Sequence, residues 1–214
     1  MTLAYTPETH IAPPAIADIM ERLGVRMTFA KGEEIFGQEE AADMIYFVAS
    51  GAVRTTRFLT DGRRQIGDFY YPGDLIGLET GPVHRLCAEA LTDCIVRVVK
   101  RSSLRALSGD GDLDRAIWEA TRRELERTQE HLMVLGRKTA CEKVASFLMD
   151  LAQRHDAEEV AVPMGRQDIG DFLGLSIATV SRLLNRLARE GLILIVPRGV
   201  RILDLPRLQR LARI

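Results

Sequence analysis

Residues 174–187 read GLSIATVSRLLNRL, and the chemistry of this stretch is one-sided. Wound as a helix, it collects Val180 and its leucines on one side and turns Ile177, Ala178, Ser181, Arg182 and Asn185 to the other. An outward arginine beside small side chains suits a DNA major groove, because a guanidinium donates two parallel hydrogen bonds to guanine O6 and N7. Arg182 is therefore the candidate for direct base reading. Thr179, Ser181 and Arg186 are candidates for phosphate or base-edge contact, and Gln167, further upstream, for a phosphate contact.

Such a helix needs a second one to hold it. Counting from Arg166 as position one, Ile169, Leu173, Leu175, Val180 and Leu183 fall at positions 4, 8, 10, 15 and 18, the inward set of a helix-turn-helix. Gly170 supplies the small residue at position 5, and Gly174 at position 9 lets the chain turn with φ > 0. Ser176 is placed to cap the second helix and, with Ile177, Ala178 and Asn185, is also a candidate DNA contact. After Gly191, the segment GLILIVPRGVRILDL gives two short β runs joined at Pro197-Arg198-Gly199, a wing whose tip Arg198 can reach a phosphate. The tail LPRLQRLARI reads either as a closing helix with a basic face or as a plain packing helix.

The charge is distributed to match. The 214-residue chain carries a formal net charge of −1, yet residues 166–214 hold nine arginines against four acids, a local net of +5. Residues 1–110 hold twelve basic and fifteen acidic side chains, a net of −3. A polyanion would then meet only the C-terminal part. At 46% hydrophobic, the chain can bury a core of one large or two small domains.

Upstream, short runs of alternating apolar residues extend from about 24 to 100, punctuated by Lys31-Gly32, Ser50-Gly51, Asp61-Gly62 and Pro72-Gly73. They predict a β-sandwich or roll. Ala15 to Leu23 reads as a short helix after an unstructured start. From Asp112 the period changes: Trp118, Thr121, Leu125, Thr128, Leu132 and Leu135 recur at steps of 3 and 4. This narrow stripe, flanked by charges including Arg122, Arg123, Glu124 and Arg127, predicts a long helix whose seam pairs with a second copy, despite two threonines. Gly136 is expected to break that helix, and a second amphipathic helix follows. The domains are then 1–23, an N-terminal segment; 24–110, a β-roll; 111–136, the dimerisation helix; and 137–214, a winged helix-turn-helix. The fold class is α+β.

Other chemistries find little support. Cys87, Cys94 and Cys141 show no metal-ligand or disulfide spacing and read as small buried hydrophobes. Cys141 alone lies near a helix start, where the thiol pKa can be lowered. His10, His84, His131 and His155 have no spacing that supports haem, and no metal site is expected. Paired carboxylates, a nucleophile elbow and a P-loop are all missing, so no enzyme is expected. No 18-residue uncharged apolar run and no leader pattern is found, which predicts a cytoplasmic protein with no membrane partner.

A β-roll, a long helix and a winged helix-turn-helix ending in TVSRLLNRLAREGLI resemble the CRP/FNR transcription regulators. The likeness runs from about 24 to 205: KGEEIFGQEEAADMIYFVASGAVRTTR and PGDLIGLE look like the cyclic-nucleotide-binding fold, and RKTACEKVASFLMDLAQR with VPMGRQDIGDFLGLSIATVSR is similar to the FNR/FixK branch. It implies a homodimer on pseudo-palindromic double-stranded DNA, half-sites about one turn (~34–36 Å) apart, working through RNA polymerase, more often as an activator.

Three departures stand out. Cyclic-AMP-binding members follow the central turn with Gly-Glu and later Arg, a small hydroxyl residue and Ala; here Leu78 follows Gly77, and Leu86 and Cys87 follow Arg85, so a cyclic nucleotide is not expected. Oxygen-sensing members carry N-terminal cysteines; residues 1–30 have none, so an iron–sulfur cluster of that kind is not expected. Many relatives carry Glu where Ala178 stands, and Ala can touch a thymine methyl but accepts no hydrogen bond, which shifts the expected half-site. The alternatives left open are a cyclic-nucleotide- or haem-responsive regulator and a β-roll ligand-binding module that does not bind DNA.

Overall fold

The computed structural model describes residues 14–79, 81–106, 111–155 and 159–212, in two compact units, one ending at Gln129 and the other starting at Glu130. The first unit opens with α1 (Pro14–Leu23), followed by β1 (Val25–Phe29), β2 (Glu34–Phe36), β3 (Met44–Ser50), β4 (Val53–Phe58), β5 (Arg64–Tyr70), β6 (Leu75–Ile76), β7 (Cys87–Ala90) and β8 (Cys94–Lys100). These strands pair antiparallel in two sheets, ordered β1-β8-β3-β6 and β2-β7-β4-β5, the predicted roll.

Strand β3 shows how one sequence serves two cores. Its run MIYFV is apolar throughout because both of its faces are covered. Successive side chains of a strand point opposite ways. Tyr46 and Val48 join Phe36, Val53, Tyr70, Ile76, Val96 and Val98 in one cluster. Ile45 and Phe47 join Ile16, Ile19 and Met20 of α1 and Leu113 and Ala116 in a second.

The chain then forms a short helix the alternation had not shown, α2 (Arg101–Ala106), and α3 (Gly111–Arg137). Gly136 does not break α3; it lies within the last turn, and the interruption falls at Lys138 and Thr139. The two sides of α3 differ as its periodicity predicts. Leu113 and Ala116 are buried, and Ile117 and Ala120 pack beside them on the roll. Trp118, Leu125 and Leu132 stand 71%, 57% and 67% exposed. Thr121 and Thr128 lie on the same exposed stripe, their hydroxyls donating back to the carbonyls of Ile117 at 2.9 Å and Glu124 at 2.8 Å. Their polar groups are thus satisfied within the helix, leaving the stripe compatible with a dry seam. Leu135 departs from the prediction. It is half-buried, its Cδ2 3.8 Å from where a Cβ on Gly174 would sit, so the free stripe ends at Leu132.

The second unit continues with α4 (Ala140–His155), β9 (Glu159–Ala161), α5 (Arg166–Leu173), α6 (Ile177–Arg189), β10 (Ile193–Val196), β11 (Gly199–Ile202) and α7 (Leu205–Ala212). Strands β10 and β11 form the expected hairpin, and β9 adds a third strand, in the order β10-β11-β9. Helix α7 packs on α4 with Leu208 buried, so the tail is a packing helix.

Candidate nucleic-acid interface

Two glycines shape the bend between α5 and α6. Gly174 sits at φ +64°, the left-handed region, and its N–H donates to the Gly170 carbonyl to close α5. A Cβ on Gly170 would lie 2.6 Å from the Leu175 carbonyl oxygen, so only hydrogen allows that approach. Ser176 is extended, and its hydroxyl accepts from the Thr179 N–H at 3.2 Å, satisfying an amide that α6 itself leaves unpaired. At the other helix start, Asp168 accepts from the Gly165 N–H at 3.2 Å.

Ile169, Leu173 and Val180 are buried as expected. Leu175 and Leu183 are only half-buried, and the deep positions of α6 are Val180, Leu184 and Leu187. Steps of four and three from Val180 keep a row on one helix face, whereas Leu183 falls on its flank.

The opposite face is open. Ile177 is 48% exposed, and Ala178, Arg182, Asn185 and Arg186 are exposed. No carboxylate occurs in α6, and its N-terminal end carries the positive pole of the helix dipole. Arg182 lies along its own helix, Nε donating to the Ala178 carbonyl at 3.3 Å. Arg186 is drawn away, its Nε 2.7 Å from Glu190 Oε1, and this contact holds the Glu190 carboxyl below its ordinary range. Thr179 and Ser181 are half-buried. The Thr179 hydroxyl lies 2.9 Å from that of Ser176, and Ser181 accepts from Arg166 Nη1 at 3.2 Å. Gln167, exposed in the first turn of α5, donates to Asp171 at 2.7 Å. Arg198 is exposed at the wing tip while its carbonyl accepts from the Val162 N–H at 3.0 Å, which ties the hairpin down.

One basic residue was missed. Arg166 served only as the origin of the count, yet its exposed guanidinium reaches the recognition-helix face at Ser181. The local excess of arginine was the available signal.

Side chains from α3 and α4 brace α5 within the same unit. His131 stacks on Phe172 with centroids 3.9 Å apart, and Phe147 meets Phe172 at 6.0 Å, edge on. Lys143 Nζ donates to the Leu173 carbonyl at 3.1 Å, where α5 leaves an acceptor unpaired. Cys141 lies half-buried in the first turn of α4, but its thiol pKa is raised, not lowered: burial outweighs the pull of Arg186.

In the roll, Cys87 and Cys94 are buried as expected. Arg85 is exposed and His84 takes the inward position, stacked on Phe36 at 3.8 Å with Nδ1 2.5 Å from Glu79 Oε1. Arg101 donates to the Gly77 carbonyl at 2.6 Å, and Arg54 pairs with Glu89 at 2.8 Å. His10 and the His155 side chain lie outside the described residues. Among the described residues, no group of three or more His, Cys, Asp or Glu could hold a metal ion, and no helix is long and apolar enough to cross a membrane.

Comparison with known proteins agrees with this geometry. A model of the Crp-like helix-turn-helix domain matches residues 142–211, and one of the cyclic nucleotide-binding domain matches 26–109. The nitrogen fixation regulation protein FixK of Azorhizobium caulinodans is 48% identical over 184 residues, 83% of this chain and 74% of the relative. The transcriptional activatory protein AadR of Rhodopseudomonas palustris is 39% identical over 205 residues, 93% of this chain and 86% of the relative. The solved structure of FixK2 from Bradyrhizobium japonicum is similar at a TM-score of 0.85 and 45% identity, covering 90% of this chain and 98% of that one. With a capped, arginine-bearing recognition helix, a wing and a β-roll in place, the chain belongs to the CRP/FNR family of DNA-binding transcription regulators, in its FixK-like branch.

Proposed function

We propose that the chain works as a homodimer on a pseudo-palindromic promoter site, α6 of each copy entering successive major grooves and the exposed stripe of α3 forming the seam. The observation that carries this reading is the open face of α6, with Arg182 and Asn185 outward and Val180, Leu184 and Leu187 inward. Arg182 reads a guanine, Ile177 and Ala178 offer apolar contact to thymine methyls, and Arg166, Gln167 and Arg198 hold phosphates. Arg186, shared with Glu190, contributes less. The relatives' names favour activation, which requires a contact with RNA polymerase in the cytoplasm.

The roll works without a cyclic nucleotide in this reading. A cyclic phosphodiester needs converging cationic and hydroxyl donors. The inward residue here is a histidine already engaged by a carboxylate, and Arg54 and Arg101 are held by groups of the chain itself. These residues do not fit the anion.

Fluorescence anisotropy with a labelled palindromic duplex tests the proposal across a salt series. Affinity should fall steeply with salt, as counterion release by several arginines requires, and added cyclic AMP should change nothing. Failure to bind the duplex at low salt would overturn it.

A further inference from the structure

Where the roll meets the middle of α3, a charged side chain is buried that the interface described above does not use. Arg127 keeps only 13% of its side chain exposed. Its Nε lies 3.6 Å from Asp68 Oδ2, its Nη1 3.5 Å from Asp74 Oδ1, and its Nη2 binds Glu124. Its Cζ stands 5.5 Å from the centre of the Tyr70 ring, whose hydroxyl donates to Glu124 Oε1 at 2.9 Å. The receiving carboxylates are themselves fixed: Asp74 accepts from the Tyr71 N–H at 2.9 Å and Asp68 from the Phe69 N–H at 2.8 Å.

We propose that Arg127 is a positioning residue for the seam: clasped by Asp68, Asp74 and Glu124 over Tyr70, it fixes the rotation of α3 about its own axis and so decides which stripe faces the second copy. Apolar packing at Leu113, Ala116 and Ala120 is non-directional and tolerates rolling of the helix. A planar guanidinium held on several sides does not. Neighbouring helix positions are about 100° apart, so a slip of even half that would carry Leu125 off the shared axis. The clasp thereby sets the seam with groups of the chain alone. This inference rests on the homodimer reading.

The sole tryptophan, Trp118, lies on the exposed stripe and reports the seam directly. Arg127→Lys and Asp74→Asn are compared with the full-length parent by sedimentation equilibrium, acrylamide quenching of Trp118 and thermal melting, with Leu125→Asp as the seam control. A lysine cannot span the carboxylates, so Arg127→Lys should weaken dimerisation about tenfold or more, and Asp74→Asn should weaken it less. Trp118 should become more quenchable in the dimers that remain, while melting of the monomer is retained. Dimer affinity and quenching unchanged in both variants would overturn the proposal. So would an affinity loss that only follows a lowered melting temperature, and if Arg127→Lys fails to fold, Asp74→Asn carries the same criteria. A Leu125→Asp variant that stays dimeric would refute the seam itself, and this inference with it; a monomeric Leu125→Asp beside a normal Arg127→Lys dimer would refute the clasp alone.

Discussion

Truncating Leu125 to alanine offers the sharpest test of the seam. The side chain stands 57% exposed on α3. Fully burying a leucine is worth about 1.5–3 kcal/mol, so covering the exposed share contributes about 0.9–1.7 kcal/mol per copy. A twofold seam counts each residue twice, giving about 1.7–3.4 kcal/mol for the dimer. At tenfold per ~1.4 kcal/mol, Leu125→Ala should raise the dimer dissociation constant roughly 16- to 270-fold. Sedimentation equilibrium over a wide concentration range at constant salt reads this directly. Removing a solvated leucine alters stability by only about 0.5 kcal/mol, so the melting temperature of the monomer should hardly move. A dissociation constant within about threefold of the parent would place Leu125 outside the contact and refute the reasoning.

Other outcomes follow from the winged unit. Arg182→Ala should lose about 1–3 kcal/mol of discrimination at one base pair per half-site, read by competition with single-base variants of the duplex; unchanged preference would move base reading elsewhere. Arg198→Ala should weaken every sequence alike and lower the salt slope by about one phosphate contact per copy, visible in the same salt series. Ser176→Ala removes the cap of α6 and should cost about 1 kcal/mol in urea unfolding, whereas Ser176→Asp should restore it. Burial raises the Cys141 thiol, so less thiolate exists at a given pH and alkylation by iodoacetamide at pH 8 should be slower than for an unstructured cysteine; equal rates would show the thiol unperturbed.

The helix-turn-helix was legible because its signals are local and concordant. The turn glycines lie four residues apart, the cap directly precedes its helix, and the apolar period is short. Where reading from sequence slipped, geometry in three dimensions intervened. Leu184 replaced Leu183 in the core because the deep row of α6 runs through Val180, Leu184 and Leu187. Leu135 has the spacing of a seam residue but lies against the turn at Gly174. A glycine can remain helical, at a cost of about 1 kcal/mol, when flanking turns hold it, and Gly136 does. Arg127 read as one more solvated flank of α3, for its partners Asp68 and Asp74 lie more than fifty residues away and nothing in a linear pattern joins them.

The threonine-interrupted stripe on α3 also shapes how a cell would read this protein. With Trp118, Leu125 and Leu132 as its large apolar groups, assembly competes with dilution, and below the dissociation constant the paired species grows with the square of the chain's concentration. Doubling synthesis then quadruples the binding-competent form. A gradual change in expression becomes a steeper change in promoter occupancy.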